Sequence, residues 1–349
     1  MADIDNKKQE EATEEVEHSL EELRQRNRDR LHQFMQKARN RGAGYRCPHF
    51  PLFDQHMEGL ESGMFLFAGE SNAGKSALTM ALSWDYMANP DNHLYLVFIT
   101  LDDTADDVYP RIIAMNQDIP ISVASKPVMY EQRRDAEDSS IVTIDNWLQK
   151  GEAGIRQLEE LGEKFTVLDG NDISCGEEIL EKCLDIKTLV QEEDRNANII
   201  VVIDSLMDIE WRDKHFKSDK ELNDYTARQI KKWSVEILDC PIFGTVHLRK
   251  IDQNRRPTVA DVKESGRYIY EASFLGLVHN DVGRNKESAT ICIRNESGAA
   301  IPVIELNWAK NKKSSYKGMT YQTFVTDHSR VQECSQTISE RFDHLIYSN

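Results

Sequence analysis

Gly69-Glu70-Ser71-Asn72-Ala73-Gly74-Lys75-Ser76 follows an apolar run, Met64-Phe65-Leu66-Phe67-Ala68, and precedes a helix-like one, Ala77-Leu78-Thr79-Met80-Ala81-Leu82. Strand, G-x-x-x-x-G-K-S loop and helix in that order predict a Walker A phosphate loop. The glycines let the backbone curl until its N–H groups converge on phosphate oxygens. In this reading Lys75 reaches the β- and γ-phosphates, Ser76 holds Mg²⁺, and the helix N-terminus adds a favourable dipole. The expected cofactors are ATP and Mg²⁺, with Gly69, Glu70, Ser71, Asn72, Ala73, Gly74, Lys75, Ser76 and Ala77 forming the cradle.

Outward from this loop the pattern alternates between strands and helices. Candidate strands are Met64–Ala68, Leu94–Thr100, Phe165–Leu168, Ile199–Asp204, Ile242–Val246, Phe274–His279, Thr290–Ile293 and Val303–Trp308. Candidate helices cover 75–88, 104–115, 151–162, 176–193 and 219–238, and segment 117–140 reads as loop with a short helix. Such alternation predicts an α/β domain, a mostly parallel twisted sheet flanked by helices. The expected partition is a charged helical arm over 1–46, one nucleotide-binding domain over 47–326, and a polar tail over 327–349.

The arm separates its charges. Residues 1–22 carry nine acids against two lysines, whereas residues 23–41 carry seven Lys/Arg against one acid. Val16, Leu20, Leu23, Leu31, Phe34 and Ala38 fall near heptad spacing, a thin apolar stripe suited to a protein partner or a neighbouring subunit. A solvated, charged helix is the alternative.

Composition removes several classes. No run of roughly eighteen apolar residues is present, so no membrane span is expected. The first residues contain no apolar core of a secretory signal. The six cysteines include no C-x-x-C pair, so neither zinc nor a disulfide framework is expected, and reduced thiols point to the cytoplasm. A net charge of −17 argues against coating of nucleic acid by the whole surface, though not against a locally basic channel.

The second half of a nucleotide site is also present. Asn198-Ile199-Ile200-Val201-Val202-Ile203-Asp204 reads as a buried strand ending in a carboxylate, the position from which an Asp orients Mg²⁺ in P-loop enzymes. Hydrolysis further needs a carboxylate to align water and take its proton. Asp102, after the Leu94–Thr100 strand, is the first choice, with Asp103 and Glu70 in reserve; helix capping is the competing reading for acids there. His247 ends a later strand, where it can sense the terminal phosphate.

The order of these motifs resembles the C-terminal motor domain of bacterial replicative, DnaB-type helicases, within the RecA-like superfamily. Phe53-Asp54-Gln55-His56-Met57-Glu58-Gly59-Leu60 mirrors the segment that opens such domains, and Thr100-Leu101-Asp102 mirrors their Ser-Leu-Glu. Ile203-Asp204-Ser205-Leu206 mirrors their strand ending in Ile-Asp. Arg255-Arg256-Pro257-Thr258-Val259-Ala260-Asp261-Val262-Lys263-Glu264-Ser265-Gly266 resembles their Arg-Pro…Asp-Leu-Arg-Glu-Ser-Gly signature, and Trp308-Ala309-Lys310-Asn311-Lys312 their Ala-Lys-x-Arg segment. The resemblance runs over roughly residues 47–325.

It implies a RecA-like P-loop ATPase that forms a ring, most readily a hexamer, and translocates on single-stranded DNA with ATP between subunits. Asp102 would be the catalytic carboxylate, His247 the sensor, and Lys310 and Lys312 would act on a neighbour's nucleotide. Three positions depart from the family pattern: Asp102 stands for Glu, His247 for Gln, and Lys312 for an arginine finger, without the planar fork. Only the charged arm precedes the motor region, where the family carries a large primase-contacting domain. These departures keep open an alternative, a weakly hydrolysing RecA-like regulator, loader or remodelling factor.

Strand contact in such rings falls on central loops and mainly on phosphates. The first candidate loop, 211–220, offers Arg212, Lys214 and Lys217 with Trp211 and Phe216. The second offers Arg249, Lys250, Arg255, Arg256 and the Lys263-Glu264-Ser265-Gly266 run, of which Lys263, Glu264 and Gly266 are the main candidates. Surface charge without a ligand is the competing reading for both.

Overall fold

A computed structural model describes residues 19–32, 34–36, 44–136, 141–212, 214–251, 255–263 and 266–347. The chain divides into two compact units, 1–44 and 45–349. In the first unit, helix α1 runs over 19–32 and 34–36, within the expected helical arm. Leu20, Leu23, Leu31, Phe34 and Met35 are all exposed on it. The remainder of the expected arm helix lies outside the described residues.

Among the described residues, the second unit is built on one ten-stranded sheet. The parallel part contains β1 (Gly63–Gly69), β2 (Leu94–Thr100), β3 (Phe165–Leu168), β4 (Asn198–Asp204), β5 (Pro241–His247) and β6 (Phe274–Asn280). The other strands are β7 (Cys292–Arg294), β8 (Ala300–Asn311), β9 (Met319–Val325) and β10 (Arg330–Glu333), all joined antiparallel. The order is β10-β9-β8-β6-β1-β5-β4-β2-β3, with β7 beside β8. β1 and β4 are nearly continuous apolar runs because helices cover both faces of a parallel sheet.

Helix α2 (Pro51–Met57) opens the unit, and α3 (Lys75–Ala88) follows the phosphate loop. Twelve of the fourteen α3 residues are buried, so it is a core helix rather than an amphipathic one. Its Leu78 and Leu82 pack in one core with Phe65, Phe67, Phe243 and Trp308. On the other face, Met64, Leu66, Ile203 and Ile242 pack with Trp233 and Ile230. This second layer is supplied by α8 (Gly176–Glu193) and α9 (Asp219–Lys232), the latter continued by a π-helical turn, Trp233–Ile237.

Three expectations need correction. The stretch 117–140 holds two short helices, α5 (Ile121–Ser125) and α6 (Pro127–Asp135), between α4 (Ala105–Gln117) and a long α7 (Ile141–Leu161). Gly154 lies inside α7 and lets α4 come close: Ile113 Cγ2 would lie 2.7 Å from a Cβ added there.

The antiparallel strand β9 escaped the sequence reading because its buried positions are partly polar. Thr320 and Gln322 are both 1% exposed, with Thr320 accepting from Trp308 Nε1 at 3.1 Å. The polar tail from 327 is part of the fold: it supplies β10 and α12 (Gln336–Tyr347). Glu333 accepts from the N–H groups of Leu52 (2.6 Å) and Phe53 (2.9 Å), satisfying two orphan donors of α2. Phe342 is buried against Tyr321. No helix among the described residues is long and apolar enough to cross a membrane.

Candidate functional site

β1 ends at Gly69, and the chain must turn within a few residues into α3. Asn72 (φ +62°) and Gly74 (φ +95°) make that turn in left-handed conformations. A Cβ on Gly74 would sit 2.7 Å from Ile304 Cδ1, so glycine is required there by both backbone and space. The result is a tight loop of backbone amides leading into the start of α3, the geometry that binds an anion.

Lys75 is the first residue of α3 and is 6% exposed. Its Nζ donates back to the carbonyls of Gly69 (3.1 Å) and Glu70 (2.9 Å), inside the loop that it would serve. Burial lowers its pKa, while Asp204 and Glu70 oppose the shift. The ammonium therefore has a carboxylate neighbour from β4 as well as the loop.

Lys75, Ser76, Ala77, Asp102, Asp204 and His247 line one cleft of about 550 Å³, together with Ser71, Asn72 and Gly74. Parallel register brings them there: Thr100 lies opposite Asp204, and Gly69 opposite His247. The strand ends β1, β2, β4 and β5 thus open on the same edge, where ligands of open α/β sheets bind. Asp204 accepts a hydrogen bond from Thr245 Oγ1, which fixes its rotation. A ring of N–H donors, one ammonium, one hydroxyl and a fixed carboxylate is a donor set that fits a polyphosphate with a hard divalent cation.

The two acids after β2 separate. Asp103 is ion-paired with Arg111 Nη1 at 2.5 Å. Asp102 is exposed into the cleft and has no ion-pair or hydrogen-bond partner among the described residues. Glu70, the other reserve for a base, carries its carboxylate away from this cleft to Arg284 Nη1, at 2.8 Å. His247 has its pKa lowered by burial first and by Lys75 next, against Asp208 and Asp204, which favours the neutral ring.

Lys310 and Lys312 lie elsewhere. Ser273 N–H donates to Met64 O (2.8 Å) and Lys312 N–H to Ser273 O (2.9 Å), which ties Lys312 to the start of β1. The phosphate loop is at the other end of that strand, roughly 15 Å away along the sheet. Lys310 Nζ caps α10 (Gly266–Glu271) by donating to the carbonyls of Ile269 (2.5 Å) and Tyr270 (2.8 Å). Burial, then Lys312, pushes its pKa down to about 8. Neither lysine reaches the phosphate loop of its own chain.

The basic loops are more committed than their sequence suggests. Arg212 pairs with Glu178, and Lys214 stands over the Tyr225 ring at 5.3 Å. Trp211 is a core residue donating to Thr226 Oγ1, and Phe216 packs on Tyr225, so neither aromatic is displayed for stacking. Lys217 remains exposed. In the second loop, Arg255 makes a two-pronged pair with Asp261, holding that carboxyl far below its usual range, and Arg256 pairs with the buried Glu305. These two arginines anchor the loop rather than project from it. Lys263 and Gly266 are exposed; Glu264 lies outside the described residues.

A larger cleft, about 1050 Å³, adjoins the first and shares Ser71, Asn72 and His247 with it. Arg249, Lys250, Lys263 and Arg284 line it. Thr245 and Arg284 were not found from sequence because each gains its role only from a partner distant in the chain, 41 and 214 positions away; Arg111 gains its role from Asp103, eight positions before it.

A family profile described as DnaB-like helicase C terminal domain matches residues 48–317. Among solved structures, the chain is similar to one described as an ATPase domain, with 18% identity, a TM-score of 0.69, and coverage of 88% of this chain and 98% of that one. It is also similar to "The Structure Of A DnaB-Like Replicative Helicase And Its Interactions With Primase", with 18% identity, a TM-score of 0.68, and coverage of 87% and 68%. No curated protein matches it in sequence.

Proposed function

This chain belongs to the DnaB-like helicase C-terminal domain family, and from that premise we propose that it is an ATP-driven translocase on single-stranded DNA, working as a ring with nucleotide held between subunits. The observation that carries the proposal is the convergence of Lys75, Ser76, Asp102, Asp204 and His247 on one cleft, while Lys310 and Lys312 stand at the far end of the sheet. Cations in that position serve a nucleotide only when a second subunit presents its own phosphate loop to them. A closed ring, most simply a hexamer, satisfies every copy at once.

The loop amides and Lys75 bind the phosphates, with Lys75 Nζ exchanging its two carbonyl acceptors for phosphate oxygens. Ser76 and Asp204 hold Mg²⁺. When bound, Mg²⁺–ATP supplies the phosphoanhydride bond whose cleavage drives the motor. Asp102 orients water and accepts its proton on a carboxylate oxygen. Neutral His247 offers the terminal phosphate a hydrogen bond, and its own carbonyl is bonded to Lys263 N–H (3.2 Å), so its position is shared with the second loop. Lys263, Gly266 and Lys217 contact the strand at phosphates, with Arg212 and Lys214 flanking. The exposed apolar residues of α1 serve as a docking stripe for a neighbouring subunit or a partner protein.

A second reading, a regulator or loader with slow hydrolysis, is favoured by two residues. Asp102 is one methylene shorter than the Glu of the family pattern, and Lys312 lacks the fork of an arginine finger. ATPase rates with and without single-stranded DNA, with particle mass measured beside a non-hydrolysable nucleotide, separate the two. A ring whose turnover rises several-fold with DNA supports the translocase. Slow turnover indifferent to DNA supports the regulator, and a chain that binds no nucleotide removes both.

A further inference from the structure

Arg284 lies on α11 (Asp281–Asn285), a short helix in neither the phosphate loop nor the strand-contacting loop, yet its guanidinium holds both. Nη1 donates to Glu70 Oε2 at 2.8 Å, and Nη2 donates to the carbonyl of Ile251, also at 2.8 Å. Glu70 is the second residue of the phosphate loop, and its carbonyl accepts from Lys75 Nζ at 2.9 Å. Ile251 directly follows Arg249 and Lys250 of the second basic loop. The Arg284 side chain is only 15% exposed, and it forms part of the wall of the larger cleft beside Arg249, Lys250 and Lys263.

We propose that Arg284 is a positioning residue that couples strand contact to the nucleotide site, by tying the Ile251 carbonyl at the root of the strand-contacting loop to the Glu70 carboxylate of the phosphate loop. The inference rests on the ATPase and strand-binding reading above and adds to it the part that connects the two sites.

A planar guanidinium directs two N–H groups from one rigid unit, so moving one acceptor drags the other. A displacement of Ile251, when phosphates engage the neighbouring Lys250 and Lys263, has to be taken up by Glu70 or break a part-buried charge-assisted hydrogen bond. Glu70 in turn shares its backbone with the acceptor of Lys75. Lysine at 284 would keep the charge and could satisfy Glu70, but it presents a single nitrogen and cannot hold both acceptors in one fixed geometry. Coupling of this kind is reciprocal in binding: what strand does to nucleotide affinity, nucleotide does to strand affinity.

The test is a comparison of full-length wild type, Arg284→Gln and Arg284→Lys. ATPase is measured across ATP concentrations, with and without a single-stranded oligonucleotide, and melting is recorded for each protein. The expected result is basal turnover within about twofold of wild type in both variants, with most of the strand stimulation lost in Arg284→Gln and partly lost in Arg284→Lys. Wild-type oligonucleotide affinity should sharpen with a non-hydrolysable nucleotide, and that sharpening should disappear in Arg284→Gln. If Arg284→Gln fails to fold, Arg284→Lys decides. Full stimulation in a folded variant overturns the coupling role while leaving the ATPase reading intact. Loss of basal and stimulated turnover in equal proportion also overturns it, because it would make Arg284 part of the phosphate site. A wild type that strand does not stimulate overturns the coupling role together with the translocase reading it rests on.

Discussion

The backbone N–H of Lys263 donates to the carbonyl oxygen of His247 at 3.2 Å, and two residues on, Arg249 N–H donates to Asp261 O at 2.7 Å. The end of β5, which borders the nucleotide cleft, therefore continues as a short ladder into the second basic loop. A residue at the phosphate edge and a cation at the candidate strand edge share one backbone hydrogen bond.

Lys263 is exposed beside that ladder, whereas Arg255 and Arg256 are spent on Asp261 and Glu305. Lys263→Ala should weaken single-strand binding about equally for all sequences and lower the salt dependence by roughly 0.7 in slope. ATP affinity without strand should be unchanged. Fluorescence anisotropy over a salt series checks this; an unaltered slope would remove Lys263 from the strand contact.

The two acids after β2 make opposite predictions. Asp102 faces the cleft without a partner among the described residues, while Asp103 is held by Arg111. Asp102→Asn should cut ATP turnover by about 100-fold or more, the usual worth of a general base. Asp103→Asn should change it by less than about tenfold. Steady-state rates at saturating ATP decide, and a reversed order would transfer the role to Asp103.

Gly74 has φ +95° and no room for a methyl against Ile304. Gly74→Ala should cost about 1–3 kcal/mol of stability through strain and overlap. It should also weaken ATP binding, since relief of the clash moves the loop amides. Denaturant unfolding and nucleotide titration check both effects; a stability equal to wild type would mean that the loop relaxes freely.

His279, next to last in β6, lines the larger cleft, and its pKa is pushed down to about 4, by burial first and then by Arg256. An unfolded histidine titrates near 6.5. Between those values the unfolded chain binds the proton and the folded one does not, so stability is complete above about pH 6.5 and falls as pH drops toward 4. The full difference is about 3 kcal/mol. Glu305, raised to about 7 by burial, titrates with the opposite sign in part of this window. The test is therefore the difference between wild type and His279→Asn: the variant should lose less stability on acidification, by up to that amount. Parallel stability curves would contradict the assignment.

Much of this was readable in the residues. β1 and β4 are apolar runs that stop at a glycine loop and at Asp204, so both the strands and their functional ends announce themselves. Parallel register then places the ends side by side. What sequence could not show were pairings at long range: Glu70 with Arg284 is separated by 214 positions, and nothing local marks either as the other's partner. β9 was hidden because Thr320 and Gln322 are buried polar residues in hydrogen bonds, which defeats any reading by hydrophobic period. Trp211 and Arg255 looked like loop residues free to meet a ligand, and in the fold they are held by Thr226 and Asp261.

The central claim is that the loop of Gly69–Ser76 and the carboxylate of Asp204 hold one magnesium nucleotide between them. Titration calorimetry of wild type, Lys75→Ala and Asp204→Ala with ATP, with and without Mg²⁺, tests it most directly. The account predicts one ATP per chain in wild type, tightened by Mg²⁺. It predicts binding lost or weakened at least about 100-fold in Lys75→Ala with the fold intact, and binding that no longer responds to Mg²⁺ in Asp204→Ala. Wild-type affinity in Lys75→Ala, or an undiminished Mg²⁺ response in Asp204→Ala, would contradict it.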